Sequence, residues 1–392
     1  MPRLCTNWLS TYLKYTSFQE APTKFHEWIG LSIIAATIQR NVCLPRGYFN
    51  IYPNLYMALV APTGFSKTSS ADIGIELLDQ LKDSDVMKEK LTSWFLLEHF
   101  DRLTKAKGAC CVTIYAPEMR TFLGDLNKTE LVTMLTSFYG CPNSPAYRTK
   151  GGGVLKFKNV CINLLACSTP EWLTLGTSTD EIAGGFTGRF IYVYADSTSR
   201  SFPFPEDFFT QNTKDLRLEL INDLKHIQTL KGNFVISDQA KAEYIYWYTN
   251  RKKECTDERL IGYYERKRDL VFKVAMLVAL CRDDYLVIDE EILHTTMTML
   301  TDLESTMSEA FSGVVDDPVL KYKDYIMSQI ASSPTLSISR SAILRKNWNK
   351  FDGIVLDRIT TNLIDSRVIT AGRETIGGNT EIVYKLLDGR RY

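Results

Sequence analysis

The sequence predicts an α/β fold: a core with a parallel sheet, a helical subdomain after it, and a C-terminal module of helices closed by a hairpin. Three observations carry this. Leu55 to Val60 is an apolar run of strand length, followed by turn formers from Ala61 to Ser66, then Lys67-Thr68 and a helical pattern from Ser69. Further apolar runs (Ala109 to Tyr115, Val160 to Ala166, Ile191 to Tyr194) alternate with helical segments, the order that builds a parallel sheet. From about residue 208 the strand signal gives way to helical periodicity.

In chain order, Asn7 to Gln39 reads as two helices broken at Glu20-Ala21-Pro22-Thr23, and Val42 to Ile51 as a short hairpin leading into the first core strand. Ala71 to Leu81 continues the helix after the loop. Met87 to Thr104 reads as a second helix with Trp94, Phe95, Leu97 and Phe100 turned inward, ended by Gly108. Thr129 to Phe138 is helical. Tyr139 to Lys158 is a hairpin in which basic and aromatic residues flank three glycines with no acid among them. Ser197 to Asp207 is a linker. Asp215 to Leu230, Gln239 to Tyr264, Leu270 to Cys281 and Ile288 to Phe311 are helices. Beyond Pro318 come a helix (Leu320 to Ile330), a second starting at a serine cap in Ser337-Ile338-Ser339-Arg340, a third (Ile354 to Asp365) and two strands around Gly377-Gly378-Asn379. Three helices and a hairpin form the winged-helix arrangement. The boundaries are 1–50 for an N-terminal helical segment, 51–200 for the core, 208–312 for the helical subdomain and 318–392 for the winged helix.

Composition narrows the partners. Of 392 residues, 45% are hydrophobic and 23% charged, ordinary globular usage. Net charge is +0, so no global basic field draws the chain to nucleic acid, and such binding needs local patches. The nine cysteines include no CxxC pair and the four histidines no zinc spacing, which points to buried thiols in a reducing compartment. The first residues lack the apolar core of a signal peptide, and no apolar run reaches the ~18 residues of a membrane span. The expectation is a cytoplasmic protein without membrane contact.

Strand, tight loop, Lys-Thr and helix is the layout of a phosphate-binding loop. Backbone N–H groups of the loop and the helix start face phosphates, Lys67 reaches the β- and γ-phosphates, and the Thr68 hydroxyl ligates Mg²⁺. The candidate nucleotide contacts are Ala61, Pro62, Thr63, Gly64, Phe65, Ser66, Lys67, Thr68 and Ser69. Ala61 and Ser66 stand where the loop consensus has glycine, and Gly64 sits in mid-loop. Glu118 follows the second apolar strand, where a parallel sheet presents catalytic groups, and is a candidate for orienting water. Cys167-Ser168-Thr169-Pro170 is a polar strand end of the same kind. Gly188-Arg189-Phe190 presents one arginine before a strand. Arg148, Lys150, Lys156 and Lys158 on the hairpin are candidate nucleic-acid contacts.

Taken in order, these motifs resemble AAA+-type P-loop replication ATPases, nearest to the phage, plasmid and prophage proteins described as replicative or primase-associated helicases. These in turn look like the minichromosome-maintenance helicases. The resemblance spans about residues 7 to 386. It implies a P-loop NTPase (AAA+-like) core with ATP and Mg²⁺ as ligands. It places Lys67 and Thr68 in Walker A, Glu118 in Walker B, Thr169 (or Ser168) as first sensor, Arg189 as the arginine finger acting on a neighbouring subunit, and Arg266 or Arg268 as second sensor. Pro117 stands where Walker B has an Asp. The implied activity is an ATP-dependent DNA helicase or translocase of a mobile-element replication module. ATP is hydrolysed at the interfaces of a homo-oligomeric ring, a hexamer, whose pore hairpins grip single-stranded or forked DNA. A primase or polymerase is the implied partner, and the host cytoplasm the implied location. The alternative is a non-hydrolysing nucleotide-binding initiator or assembly protein with a winged helix that binds DNA or protein.

Overall fold

The computed structural model describes residues 2–88, 91–123, 128–149, 153–176, 185–198, 200–250, 260–311, 318–333, 335–348, 351–376 and 379–387. The chain forms two compact units, Met1–Gly313 and Val314–Tyr392. The first is a mixed α/β body around one parallel sheet. Its elements are α1 (Trp8–Tyr15), α2 (Thr23–Ile38), β1 (Val42–Pro45), β2 (Asn50–Ile51), β3 (Tyr56–Val60), α3 (Lys67–Leu78), β4 (Val86–Lys88), α4 (Ser93–Lys107) and β5 (Cys110–Ala116). There follow α5 (Met119–Leu123), α6 (Lys128–Phe138), β6 (Ala146–Thr149), β7 (Gly153–Lys156), β8 (Val160–Ser168), α7 (Pro170–Gly176) and β9 (Phe190–Tyr194). Helices Gln211–Ile227, Asp238–Asn250, Ile261–Arg282 and Glu290–Glu304 complete the unit.

The central sheet has the order β4-β5-β8-β3-β9, and every pairing is parallel. All residues of β3, β8 and β9 are buried. Strands covered on both faces have no solvent side, so they read as continuous apolar runs, and this made them visible in the sequence. α2 is buried around most of its circumference and packs on the sheet, on α3 and on Ile261–Arg282. Buried amides fix the register. Asn163 donates to the Ala35 carbonyl and accepts from the Leu55 N–H; Asn54 donates to the carbonyls of Tyr139 and Ile162.

Some expectations need correction. Met87 to Thr104 is not one helix. Val86–Lys88 is the edge strand, in register with Thr113–Tyr115, and α4 starts only at Ser93. A three-residue strand is too short to show a period of two. Thr92 caps α4 by accepting from the Phe95 N–H, and the first turn this sets leaves Trp94 and Phe95 55% and 49% exposed, while Leu97 and Phe100 are buried. α3 begins at Lys67, two residues before the expected start. The stretch after Leu230 also carries short strands. Gly232–Asn233 pairs with β1, and Val235–Ile236 pairs with Val287–Ile288.

The second unit runs helix Pro318–Ala331, strand Ser337–Ser339, helix Arg340–Lys346, helix Gly353–Asp365, then strands Ile369–Ile376 and Asn379–Leu386. The second helix starts at a serine cap within Ser337-Ile338-Ser339-Arg340, as expected, but a short strand precedes it. Ser337–Ser339 pairs antiparallel with the last strand, and Ser339 is the cap, accepting from the Ala342 N–H. The unit has its own core of Ile326, Ile330, Ile343, Leu356, Ile359, Leu363, Ile369 and Tyr384. Among the described residues, no helix is long and apolar enough to cross a membrane.

Candidate functional site

The turn after β3 is set by two left-handed residues, Gly64 (φ 94°) and Ser66 (φ 49°). A Cβ at Gly64 would meet nothing within 4 Å, so glycine is needed there for backbone angle rather than room. The loop is anchored at its base, where the Ala61 N–H donates to the Ser168 carbonyl and the Ala195 N–H to the Val60 carbonyl. The strand therefore delivers the loop between the ends of β8 and β9.

Ser66 precedes α3 but makes no side-chain cap, and the first turn holds no acid. The N–H groups of Lys67, Thr68 and Ser69 have no intrahelical acceptor, so the start of α3 is electropositive and open to an anion. The Lys67 ammonium folds over the loop and donates to the carbonyls of Ala61 and Pro62, 2.7 Å each. Burial lowers its pKa, with Cys167 and Glu171 opposing. Thr63, Gly64, Thr68 and Ser69 are exposed; Pro62, Phe65, Ser66 and Lys67 are half-buried; Ala61 is buried. The Thr68 carbonyl accepts from the Tyr115 hydroxyl of β5, and Cys167, the next-to-last residue of β8, carries a buried thiol. Burial pushes that thiol up to about 12, so it stays protonated and is no nucleophile at neutral pH.

Beside the loop lies a cleft of about 260 Å³. Lys67, Pro117, Glu118, Arg120, Ser168, Thr169, Glu171 and Trp172 are among its lining residues. It thus joins the end of β3 to the ends of β5 and β8. Lys67, Glu118 and Thr169, singled out from three separate segments, meet here. Each of the latter two also has a local duty. The Glu118 carboxylate accepts from the Thr121 hydroxyl at 2.8 Å, and the Thr169 hydroxyl accepts from the Trp172 N–H at 3.4 Å at the start of α7. Glu171 is the residue that sequence reasoning passed over. It sits three positions past the end of β8, whereas Glu118 sits two past the end of β5; both follow a proline, but Glu171 lies inside the first turn of α7 and reads as an ordinary first-turn acid. Among the described residues, no group of three His, Cys, Asp or Glu side chains is placed to hold a metal by itself. Mg²⁺ at Thr68 would need phosphate oxygens to complete its ligands.

Arg189 and Arg268 are not part of this cleft. Arg189 ends the turn Thr187–Arg189 just before β9, at the opposite end of the sheet from the loop, and lines a second cleft with Arg266 and Arg268. The β6–β7 hairpin rises from the start of β8, also at that opposite end. Arg148 pairs with Val154 in it, and Lys156 is exposed on its arm. Lys158 lies beyond the arm, its backbone held by Thr104 and Cys110. Lys150 lies outside the described residues. Tyr147 ties the hairpin to α6 through the Glu130 carboxylate, which also accepts from Ser93 of α4. No family model matches the sequence, and no curated protein does.

Proposed function

We propose that the chain is an ATP-hydrolysing motor of the AAA+ type that acts on DNA. The observation that carries this is the convergence of Lys67, Glu118 and Thr169 on one cleft at the carboxyl ends of adjoining parallel strands. The sheet order supports it. The strand bearing the loop is separated from the strand bearing Glu118 by one strand, whose end bears Thr169. That order is what the AAA+-type reading requires.

In this reading Mg²⁺·ATP, when bound, supplies the phosphoryl group and neutralises its charge. The chain's own residues do the rest. The α3 N–H groups and Lys67 hold phosphate oxygens, the Thr68 hydroxyl offers a metal ligand, Glu118 orients water, and Thr169 donates from the strand between. Lys67 must leave the Ala61 and Pro62 carbonyls to do so. Arg189 is too far round the sheet to serve its own cleft, so its role on ATP phosphates calls for a second copy of the chain in a ring. The β6–β7 hairpin supplies cations for a DNA backbone, and the helix–strand–helix–helix–hairpin order of the second unit fits a winged helix.

A second reading, nucleotide binding without hydrolysis, is favoured by one observation. Pro117 occupies the place of the metal-holding acid, and Glu118 is already engaged by Thr121. ATPase rates with and without single-stranded DNA, for wild type and Lys67→Ala, decide between them. The motor predicts turnover stimulated by DNA and lost in Lys67→Ala. Absence of turnover in the wild type while ATP still binds would leave only the second reading.

A further inference from the structure

The second cleft, about 620 Å³, opens between the β1–β2 hairpin, the end of α6 and the helix Ile261–Arg282. Arg189, Arg266, Arg268 and Lys273 line it, and among the described residues Asp269 is its single acid. Lys273 is committed elsewhere: its ammonium donates to the carbonyls of Tyr52 and Asn54 and to the Asn54 side chain. The arginines are not neutralised. Arg189 Nη1 donates to the Gly185 carbonyl while its buried Nε has no partner, and Arg266 Nη1 donates to the Gly262 carbonyl. Among the described residues no carboxylate pairs with Arg189, Arg266 or Arg268.

The crowding is built in. Gly188 lies so close to the helix that a Cβ there would come within 2.7 Å of the Gly262 backbone and 2.9 Å of Arg266 Nη1. Three guanidinium groups that line one cleft with a single acid among the described lining residues repel one another unless an anion joins them. Phosphate matches the guanidinium fork, and a cleft of this volume is of ligand size. Phe49, 55% exposed, stands at the rim beside Asn50.

We propose that this cleft is a second anion site, binding the phosphates of a free nucleoside polyphosphate through Arg189, Arg266 and Arg268 of one chain, with the Phe49 ring at the rim facing the base. It does not rest on the phosphate-loop reading. The same phosphate chemistry has another source, a nucleotide seated in the loop of a second copy, and the experiment separates the two.

The test is calorimetric titration of full-length Lys67→Ala with pyrophosphate and with ADP, at chain concentrations below and above any assembly seen by sedimentation. The expected result is one equivalent bound per chain at both concentrations, tighter for ADP. Arg266→Gln and Arg268→Glu should each weaken it at least tenfold with the melting temperature unchanged; Arg268 is exposed, so the second variant keeps the test valid if the first misfolds. Three results overturn the proposal: no binding in Lys67→Ala, binding only in the assembled protein, or binding indifferent to both arginine variants. If Lys67→Ala retains ATPase activity, the proposed function fails while this site stands or falls on the titration alone.

Discussion

His26 is buried against Tyr12, its Nε2 bonded to the Gln19 side chain and its Nδ1 without a partner. Burial, helped by the charge of Arg200, lowers its pKa from the ordinary 6.5 to about 4. The folded chain therefore holds the neutral ring where the unfolded chain takes a proton. The stability this adds is full above pH 6.5 and is lost as pH falls towards 4, by about 3 kcal/mol. Urea unfolding at pH 7 and pH 4.5 should show His26→Gln losing less stability than wild type; equal losses would refute the assignment. In the cleft, Glu118→Gln should keep ATP binding and lower turnover by on the order of 10²-fold or more, the usual scale for a lost general base. Unchanged single-turnover rates would remove Glu118 from the mechanism. Glu118 and Thr169 were legible because each lies just past the end of an apolar strand, and Lys67 because it follows the turn formers between β3 and α3. Glu171 was not, because it lies within the first turn of α7, where an acid has an ordinary explanation. That three arginines share a second cleft was hidden too: the approach of Gly188 to Gly262 joins segments remote in sequence.

The turn Thr187–Arg189 packs directly on the helix Ile261–Arg282. Gly188→Ala would push a methyl group into the Gly262 backbone, which has no side chain to yield. The expected cost is about 1–3 kcal/mol, typical of overpacking, read as a lower denaturation midpoint with unchanged slope. Fully buried strands were the easiest elements to read. β4 was lost because three residues carry no period, and Ser337–Ser339 because a strand ending at a serine cap looks like the helix that follows. Trp94 and Phe95 were expected inward from their apolarity alone. Their position is fixed by the Thr92 cap, which sets which side of the first turn faces solvent.

Two units with separate cores make a prediction about the whole chain. Residues 314–392 expressed alone should melt cooperatively around Ile326, Ile343, Leu356 and Ile359, and residues 1–313 should keep nucleotide affinity within about twofold. A fragment without a cooperative transition would show that its core depends on the rest of the chain. The position of β3 reaches further still. Its partners are β8 and β9, and Asn54, just before it, already bonds Ile162, 108 positions away. On the ribosome, the strand that carries the loop emerges with neither neighbour yet made. At bacterial-to-eukaryotic elongation speeds it waits on the order of ten seconds for Phe190–Tyr194 to follow. Through that interval Tyr56–Val60 is an apolar segment without either of the strands that pair with it, open to aggregation. Synonymous codons that slow translation ahead of Tyr194 should therefore lower the soluble yield, whereas slowing after it should not.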